Sequence, residues 1–280
     1  PSETAFTSCR RLEISLRKST SSRRNWLTSS RSWARSARYV LRLTARTVSF
    51  NSTPLLSVRR VAWKKALLEF EWFLSGSNEI NTLHPSVRDW WMPWADKEGY
   101  IPNNYSNEFR SFFGIYGEVD QIQLLIDGIK DHPYSRRNVI TTWNTSDMVH
   151  PSTPITNCHG TVIQCFVNPD NTLDLVTYQR SVDVICGLPH NLVQYYAFLM
   201  WLAHRGGRKG GRLTWIGGDI HLYAQHYDLA QRINAAYPEL RKNGPLDLVY
   251  APSGEEFLAE DFSLNGEYAQ VITERAEMVV

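Results

Sequence analysis

Cys158 stands beside His159 in the stretch PITNCHGTVIQCF, residues 154–166, directly before an alternating apolar run. A cysteine attacks as its thiolate, which forms at neutral pH only where positive charge or hydrogen-bond donors lower the pKa of the thiol. His159 is a poor base for Cys158, because adjacent side chains in an extended strand point to opposite faces. The local pattern therefore disfavours a Cys/His protease pair and directs attention to cationic residues elsewhere.

Three arginines lie in settings that suit an anionic ligand. The stretch YSRRN contains Arg136 and Arg137, and YQRSVD contains Arg180 beside Ser181. Guanidinium groups match phosphate oxygens bidentately, and a hydroxyl adds another donor. Each stretch alone suits a surface ion pair equally well. Together with a cysteine nucleophile, the arginines indicate an enzyme that acts on a phosphorylated substrate.

Metal and disulfide sites are not indicated by the spacing. His221 and His226 lack the i, i+4 spacing of ligands on one helical face, and no added acidic ligand accompanies them, so we expect no metal. The cysteines form neither a CxxC pair nor the dense pattern of a secreted framework, and we expect free thiols in a cytoplasmic protein. The four are Cys9, Cys158, Cys165 and Cys186.

A helix and a hairpin are predicted close to the candidate residues. RVAWKKALLEFEWFLSGS, residues 60–77, has apolar residues at helical spacing and reaches a stop signal at Gly76. GTVIQCFV and TLDLVTYQRS flank the turn NPDN, and the first run alternates between two faces. We therefore expect two antiparallel strands over residues 160–181.

Two further segments complete the predicted architecture. PHNLVQYYAFLMWLAHRGG, residues 189–207, predicts a long buried helix that begins near a proline and ends at a glycine pair. RLTWIGGDIHLYAQHYDLAQRI, residues 212–233, predicts a strand, a turn and a helix. Helices interleaved with strands predict an α/β (α+β) fold with a mixed sheet.

The whole chain has the composition of a globular protein. Its 280 residues and 42% hydrophobic content suit one domain, which we place at residues 50–280. A net charge of +2 gives no overall case for nucleic-acid or membrane binding. No stretch approaches the roughly 20 apolar residues that span a bilayer, so we expect a soluble protein.

The first 50 residues differ from the rest, with ten arginines and eleven serines but only two acids, Glu3 and Glu13. This bias fits an organelle transit peptide, a basic nucleic-acid-binding arm or a solvated extension of uncertain order. A reading-frame error in this segment would produce the same bias. The sequence leaves these alternatives open, and we treat residues 1–49 as a separate segment.

Several blocks, in order and at matching spacings, resemble the thymidylate synthase family over residues 50–280. The resemblance implies a large bent mixed sheet flanked by helices, and a homodimer in which two such sheets pack back to back. It also implies two ligands, dUMP and 5,10-methylenetetrahydrofolate. The blocks are PLLSVRRVAWKKALLEFEWFLSGS, WWMPWAD, DHPYSRRNVITTWN, NCHGTVIQ, YQRSVDVICGLPHNL, GGDIHLY, EDFSLNGEY and the terminal EMVV.

The resemblance implies that Cys158 is the nucleophile that adds to C6 of the uracil ring. Glu69 matches the carboxylate that organises proton transfer near O4 and C5, and Tyr105 matches the tyrosine implicated in removal of the C5 proton. Arg180 would lie near the thiol and favour its thiolate. The family's usual proline before the cysteine is replaced by Asn157, and the residues around Tyr105 depart from the usual GPVYG.

The nucleotide phosphate would be bound by two subunits. Arg180 and Ser181 match ligands of the same subunit, and Gln179 joins this substrate-binding set. Arg136 and Arg137 match a pair that reaches into the partner's site, so the catalytic unit would be the dimer. An N-terminal arginine of the family has no recognisable counterpart, because the surroundings of Arg31 and Arg35 lack its motif.

The base and the sugar have their own implied ligands. Asn191 matches the reader of uracil, whose amide can donate to O4 and accept from N3–H, which favours dUMP over dCMP. The alternative is that Asn191 merely caps the following helix. His221 and Tyr223 match ligands of the sugar 3′-hydroxyl.

The folate would lie against aromatic residues and one acid. Trp91 and Trp94 match an aromatic wall, although plain core packing is the alternative for both. Asp183 matches the acid that binds the pterin ring and belongs with both ligand sets. His190 replaces the family's usual phenylalanine and adds a titratable group between the two pockets.

Two reactions fit the implied site. In reductive methylation, hydride from the folate reduces an exocyclic methylene on C5 and gives dTMP, whereas in hydroxymethylation water adds and gives 5-hydroxymethyl-dUMP. The tryptophans and the tail EMVV favour a dry, lidded site and therefore methylation. His190 and the altered loop around Tyr105 favour hydroxymethylation. A third hypothesis, binding of nucleic acid through the basic N-terminal arm, is disfavoured by the complete set of nucleotide ligands.

Overall fold

Five strands form a mixed sheet that carries several of the candidate residues. The computed structural model describes residues 39–56, 58–149, 157–240, 246–268 and 271–277. The strands in these ranges are β1 (Tyr39–Phe50), β2 (Phe112–Gly114), β3 (Gly117–Val119), β4 (Val139–Thr141), β5 (Val162–Val167), β6 (Thr172–Asp183), β7 (Lys209–Tyr223), β8 (Leu248–Tyr250) and β9 (Phe262–Leu264). The helices there are α1 (Trp63–Ser75), α2 (Arg88–Trp91), α3 (Tyr105–Arg110), α4 (Gln121–Asp131), α5 (Leu188–Arg205) and α6 (Tyr227–Leu240).

The large sheet has the order β1–β7–β6–β5–β4. Strands β6 and β7 run parallel, and the other neighbouring pairs are antiparallel. Two small hairpins, β2 with β3 and β8 with β9, lie outside it. Because β6 and β7 run in register, Asp183 lies opposite His221 where both strands end. The mixed sheet with flanking helices confirms the predicted fold class.

Helix α1 confirms the helix predicted from apolar spacing. It ends at Gly76, whose φ of 80° is the left-handed conformation that favours glycine at a helix C-terminus. At its other end, Ala62 offers no side-chain cap, and its backbone N–H donates to His190 Nε2 at 3.2 Å. The beginning of α1 is therefore fixed by a residue of α5.

The predicted hairpin is formed by β5 and β6. Its first strand alternates as expected, with Ile163, Cys165 and Val167 buried and the intervening residues more exposed. Asn171 has a φ of 66° in the turn, a conformation that asparagine tolerates better than most residues. Thus β6 delivers Arg180 and Asp183 to the sheet end that faces away from this turn.

Helix α5 lies at the centre of the hydrophobic core. Its Phe198 meets Phe70 of α1 edge-on, with 5.2 Å between ring centroids, and Phe70 also lies 6.1 Å from Phe109 of α3. Burying an aromatic or aliphatic side chain of this size contributes about 1.5–3 kcal/mol. The core therefore joins three helices that carry candidate site residues.

The sheet begins ahead of residue 50, since β1 pairs with β7 from Tyr39 onward. The described residues all belong to one compact unit that starts at Tyr39. The basic segment before it, with Arg31 and Arg35, lies outside the described residues, as do the last three residues of the tail. Among the helices described, none is long and apolar enough to cross a membrane.

Candidate active site

Cys158 lies in the irregular segment that leads into β5, with its thiol beside the hydroxyl of Tyr105. The distance from Cys158 Sγ to Tyr105 Oη is 3.4 Å. The same oxygen accepts hydrogen bonds from the backbone N–H groups of Cys158 and His159, at 3.0 and 3.3 Å. Tyr105 is only 3% exposed, so its phenol fixes both the backbone and the side chain of the predicted nucleophile.

Tyr105 is held by the beginning of α3. Asn104 accepts the N–H of Ser106 through its side chain at 2.6 Å, as an N-cap residue should. The Ser106 hydroxyl donates to the carbonyl of Trp72 in α1 at 3.0 Å. The stretch PNNYS, which departs from the family pattern, therefore forms a helix start that places Tyr105 against Cys158.

Two opposing effects act on the Cys158 thiol. Burial raises its pKa above the ordinary value, while the Tyr105 hydroxyl and the charge of Arg180 lower it. Burial is the larger effect, so the pKa of the thiol lies above its ordinary value. The Arg180 guanidinium stacks 5.0 Å above the centre of the Trp143 ring and its Nε lies 3.5 Å from the Asn157 carbonyl.

His159 does not act on Cys158. Its Nδ1 lies 2.9 Å from the hydroxyl of Tyr195 in α5, and burial lowers its pKa to about 3, so the ring stays neutral. The two residues precede β5 rather than lying in it, so strand alternation was the wrong reason for separating them. The contact with Tyr195 gives the correct one.

Glu69 of α1 is held by two donors from different helices. The indole N–H of Trp91 donates to Oε1 at 2.6 Å, and the Gln194 amide donates to Oε2 at 2.7 Å. Burial raises the pKa of Glu69 to about 7, against the two hydrogen bonds, which lower it. A carboxyl that titrates near neutrality is suited to exchange protons at physiological pH.

A chain of amides connects Glu69 to the predicted base reader. Gln194 Oε1 accepts from Asn191 Nδ2 at 3.2 Å, and Asn191 Oδ1 accepts from Gln179 Nε2 at 2.9 Å. Gln179 Oε1 accepts from the indole N–H of Trp215 at 2.8 Å. Because an indole can only donate, Trp215 fixes the orientation of every amide in the chain. Asn191 keeps one lone pair and one N–H for a ligand.

The other nucleotide residues lie at the ends of β6 and β7. The Ser181 N–H donates to the Cys158 carbonyl at 3.3 Å, which places this hydroxyl-bearing residue beside the nucleophile. His221 lies with Nδ1 3.6 Å from Asp219 Oδ1, and its ring is 5.1 Å from that of Tyr223. These residues therefore lie at the same end of the sheet, where the inner strands β6 and β7 finish.

Among the predicted folate residues, the two tryptophans pack in or beside the core, whereas His190 links two helices. Trp91 is part of the Glu69 cluster, and half-buried Trp94 packs on the edge of the core. His190 bonds through both nitrogens, with Nδ1 2.7 Å from the Cys186 carbonyl and Nε2 accepting from Ala62. Burial lowers the pKa of His190, so it remains a neutral structural link.

Arg136 and Arg137 lie apart from the cluster around Cys158. Both are exposed in the turn between α4 and β4. Their described contacts involve the backbone of the arginines: Gln164 Nε2 donates to the Arg136 carbonyl at 3.4 Å, and the Arg137 N–H donates to Ser135 Oγ at 3.1 Å. Within one chain, the structure does not bring this pair to the site.

Sequence reasoning missed Gln194, Trp143 and Tyr195. Gln194 follows Asn191 by three residues on one helix, so the shared helical face could have identified it. Trp143 and Tyr195 meet Arg180 and His159 only through the folding of distant segments. No local pattern distinguishes them from ordinary core aromatics.

Several known proteins are similar to this chain. The family model described as Thymidylate synthase matches residues 19–280. A thymidylate synthase of Corynebacterium aurimucosum is 33% identical over 216 residues, which is 77% of this chain and 78% of that protein. One from Buchnera aphidicola subsp. Baizongia pistaciae is 36% identical over 180 residues, 64% of this chain and 67% of that protein.

A solved structure is similar as well. Thermostable thymidylate synthase A from Bacillus subtilis superposes with a TM-score of 0.71 at 25% identity, covering 85% of each chain. The chain belongs to the thymidylate synthase family, which confirms the resemblance read from its motifs. Membership places it among the transferases of dTMP biosynthesis.

Proposed function

We propose that this protein methylates dUMP reductively to dTMP, with 5,10-methylenetetrahydrofolate as cosubstrate and Cys158 as the nucleophile that adds to C6. The observation that most supports the proposal is the convergence on one site of the Cys158–Tyr105 pair, Arg180 and the amide chain from Asn191 to Glu69. These groups supply a nucleophile, a phosphate ligand, a base reader and a proton carrier.

Cys158 begins the reaction by forming a bond from Sγ to C6, which sends an electron pair toward C5 and O4. The thiol must first lose its proton, a step that the Tyr105 hydroxyl and the Arg180 charge favour and that burial opposes. The thiol proton would leave to water, and the Tyr105 hydroxyl, 3.4 Å from Sγ, would donate to the thiolate as it forms. Bond formation makes C5 nucleophilic.

Glu69 would carry protons at the carbonyl side of the ring. Its pKa of about 7 lets it donate toward O4 as charge develops there and take the proton back later. Trp91 and Gln194 hold both oxygens, so the carboxyl keeps one orientation throughout. The folate would supply a one-carbon unit to C5 and later a hydride. Between these steps the C5 proton would leave to water near Tyr105, and the Sγ–C6 bond would break as the methyl group is completed and the nucleotide is released.

Asn191 would select uracil. Trp215 and Gln179 orient its amide, and the remaining N–H and lone pair match O4 and N3–H of uracil. Cytosine presents the opposite pattern and would leave buried groups unpaired, which costs about 1–3 kcal/mol per group. The amide chain therefore favours dUMP over dCMP.

The remaining ligands complete the nucleotide and folate sites. Arg180 and Ser181 would bind the phosphate, while His221 and Tyr223 would bind the sugar hydroxyl. Arg136 and Arg137 are exposed and remote from Cys158 in one chain, which suits ligands that complete a partner's site in a homodimer.

The aromatic side chains near Glu69 and the carboxylate at the end of β6 suit the binding of a folate. Trp91 and Trp94 would supply apolar surface, and Asp183 would accept N–H groups of a pterin. Asp183 already accepts the Ile185 N–H through Oδ1 at 2.8 Å, which leaves Oδ2 for another partner. His190 would shape the wall between the two ligands.

Methylation is favoured over hydroxymethylation by the contacts of His190. A polar residue at this position would promote hydroxymethylation if it held a water at the methylene, but both His190 nitrogens already have protein partners. Hydroxymethyl-dUMP remains the second candidate product, since both reactions share the methylene intermediate. Nucleic-acid binding through the basic arm depends on residues that lie outside the described ranges.

Product analysis tests the proposal. The purified protein is incubated with dUMP and methylenetetrahydrofolate, and both nucleotide and folate products are identified by mass spectrometry. We expect dTMP with dihydrofolate, and no product from Cys158→Ser. The pair 5-hydroxymethyl-dUMP and tetrahydrofolate would replace methylation by hydroxymethylation, and turnover that survives Cys158→Ser would remove the proposed nucleophile.

A further inference from the structure

Three ligand-type side chains converge at the end of β6, away from the Cys158 thiol. They are Asp183, Cys186 and His226, and one donor atom of each lies within 4.8 Å of the other two. Asp183 and Cys186 are half-buried, whereas His226 is only 4% exposed. Carboxylate, thiolate and imidazole in one such group form a mixed donor set of the kind that binds transition metals.

His226 is oriented as metal-binding histidines are. Its Nε2 lies 2.9 Å from the Glu277 carbonyl, which can only accept, and 3.3 Å from the Gln225 amide nitrogen, so Nε2 is engaged away from the cluster and Nδ1 is the ring atom that faces it. Nδ1 is buried without a hydrogen-bond partner and faces Asp183 Oδ2 at 3.8 Å. This nitrogen and this carboxylate oxygen repel each other unless a proton or a metal cation lies between them, and a metal ion would satisfy both as ligands.

The neighbouring groups also suit a bound cation. The Ile185 N–H donates to Asp183 Oδ1 and leaves Oδ2 toward the cluster, and ligating carboxylates commonly have such a second partner. Arg59 donates to the Ile185 carbonyl at 2.7 Å, and Cys186 Sγ lies 3.6 Å from the Glu277 carbonyl. The carbonyl that orients His226 belongs to the C-terminal tail.

We propose that Asp183, Cys186 and His226 form a binding site for a divalent ion of the Zn²⁺ class, with a fourth position open to water. Zn²⁺ takes ligands at about 2.0–2.3 Å in a tetrahedron, which places them roughly 3.3–3.8 Å apart, so donor atoms within 4.8 Å of one another must approach by at most about 1.5 Å. Thiolate and imidazole select Zn²⁺ or Co²⁺ over Mg²⁺ or Ca²⁺, which prefer oxygen ligands.

Occupation of this site would affect turnover through Asp183. A metal ion on Oδ2 removes the carboxylate oxygen proposed above for the pterin, so Zn²⁺ acts as an inhibitor that competes with the folate. This consequence rests on the proposed function, whereas metal binding itself does not. The tail is drawn into the same site through the Glu277 carbonyl.

Cobalt absorption tests the binding directly. Cys158→Ser, which lacks the reactive thiol, is titrated with CoCl₂, and we expect one Co²⁺ per chain with a thiolate-to-cobalt charge-transfer band. The band should disappear in Cys158→Ser/Cys186→Ser and persist in Cys158→Ser/Cys165→Ala, a matched loss of a second cysteine. Loss of a direct ligand should weaken binding by more than the roughly 10–100-fold seen for outer partners.

Further readouts keep the result unambiguous. Cys158→Ser/His226→Asn is titrated in the same way, and circular dichroism establishes that each variant is folded. A missing band in folded Cys158→Ser, or a band that both substitutions leave unchanged, would overturn the metal site. With turnover established, ZnCl₂ should raise the KM for the folate in the wild type, and Cys186→Ser should reduce this effect at least about 10-fold. Binding without this effect would reject the inhibition alone.

Discussion

Tyr105 combines structural and chemical roles in a single oxygen atom. Its hydroxyl accepts two backbone N–H groups and touches the Cys158 thiol, all in a buried position. Tyr105→Phe should therefore destabilise the fold by about 1–3 kcal/mol, because the N–H groups lose their acceptor. It should also lower kcat by about 10²–10⁴-fold if the phenol moves a proton.

Urea unfolding and steady-state kinetics measure the two effects of Tyr105→Phe. Tyr116→Phe is the matched control, since Tyr116 is 98% exposed and should change neither quantity. Unchanged stability and unchanged kcat in Tyr105→Phe would mean that the phenol has neither role.

Glu69 should make the stability of the protein depend on pH. Its pKa rises from 4.5 in the unfolded chain to about 7 in the native protein, so the native state binds more protons between these values. The free energy of unfolding contributed by this group is therefore lost as pH rises through that window. In Glu69→Gln the loss is absent, and the stability of the variant relative to wild type should increase from pH 5 to pH 8.

Urea unfolding at both pH values measures this difference for Glu69→Gln. The exposed Glu118 provides the control substitution, Glu118→Gln, which should leave the pH dependence as in the wild type. A relative stability of Glu69→Gln that falls toward pH 8 contradicts the raised pKa.

At the scale of elements, His190 connects α5 to the beginning of α1. His190→Phe removes the acceptor of the Ala62 N–H and the partner of the Cys186 carbonyl, and should cost about 1–3 kcal/mol at pH 7. Burial lowers the pKa of His190, so the unfolded chain binds more protons below pH 6.5 and wild-type stability falls there. The cost of the substitution should therefore shrink at pH 5.5.

Urea unfolding of His190→Phe at pH 7 and pH 5.5 checks both parts. The exposed His132 gives the control His132→Phe. A cost that grows at low pH would mean that His190 is charged in the native state.

Local periodicity was sufficient to predict α1, α5 and the β5–β6 hairpin, because each buries its own regular pattern of apolar residues. Strand β1 escaped notice, since arginines interrupt its apolar residues and its partner β7 is remote in the sequence. The parallel pairing of β6 with β7 is likewise set by tertiary contacts and has no local signal.

The identities of several site residues could be predicted from the sequence, but the contacts between them could not. Motif resemblance proposed Cys158, Arg180 and Asn191, and folding brings them to one region. The role of Gln194 as the link to Glu69, and the meeting of His226 with Asp183, depend on side-chain contacts between separate elements. Sequence spacing suggested only His221 as a possible metal-binding partner of His226. It therefore could not identify the group of Asp183, Cys186 and His226.

For the whole molecule, Arg136 and Arg137 should act across a subunit interface. Cys158→Ser and the double variant Arg136→Ala/Arg137→Ala should each be inactive alone. Mixed and refolded together in equal amounts, they should recover about one quarter of wild-type activity, because half of the dimers are mixed and each has one intact site.

Activity of the mixture, with each variant refolded alone as control, measures this complementation. Size-exclusion chromatography establishes that dimers form in every sample. Dimers that recover no activity would place both arginines in the site of their own chain or outside any site.

The pairing of β1 with β7 sets the order in which a growing chain can fold. β1 ends at Phe50, whereas its partner begins at Lys209 and ends at Tyr223. At about 5–20 residues per second, a ribosome needs roughly 9–35 s to extend the chain from Phe50, where β1 ends, to Tyr223, where β7 ends. During translation β1 therefore waits as an unpaired strand, exposed to chaperones and to other nascent chains until β7 emerges.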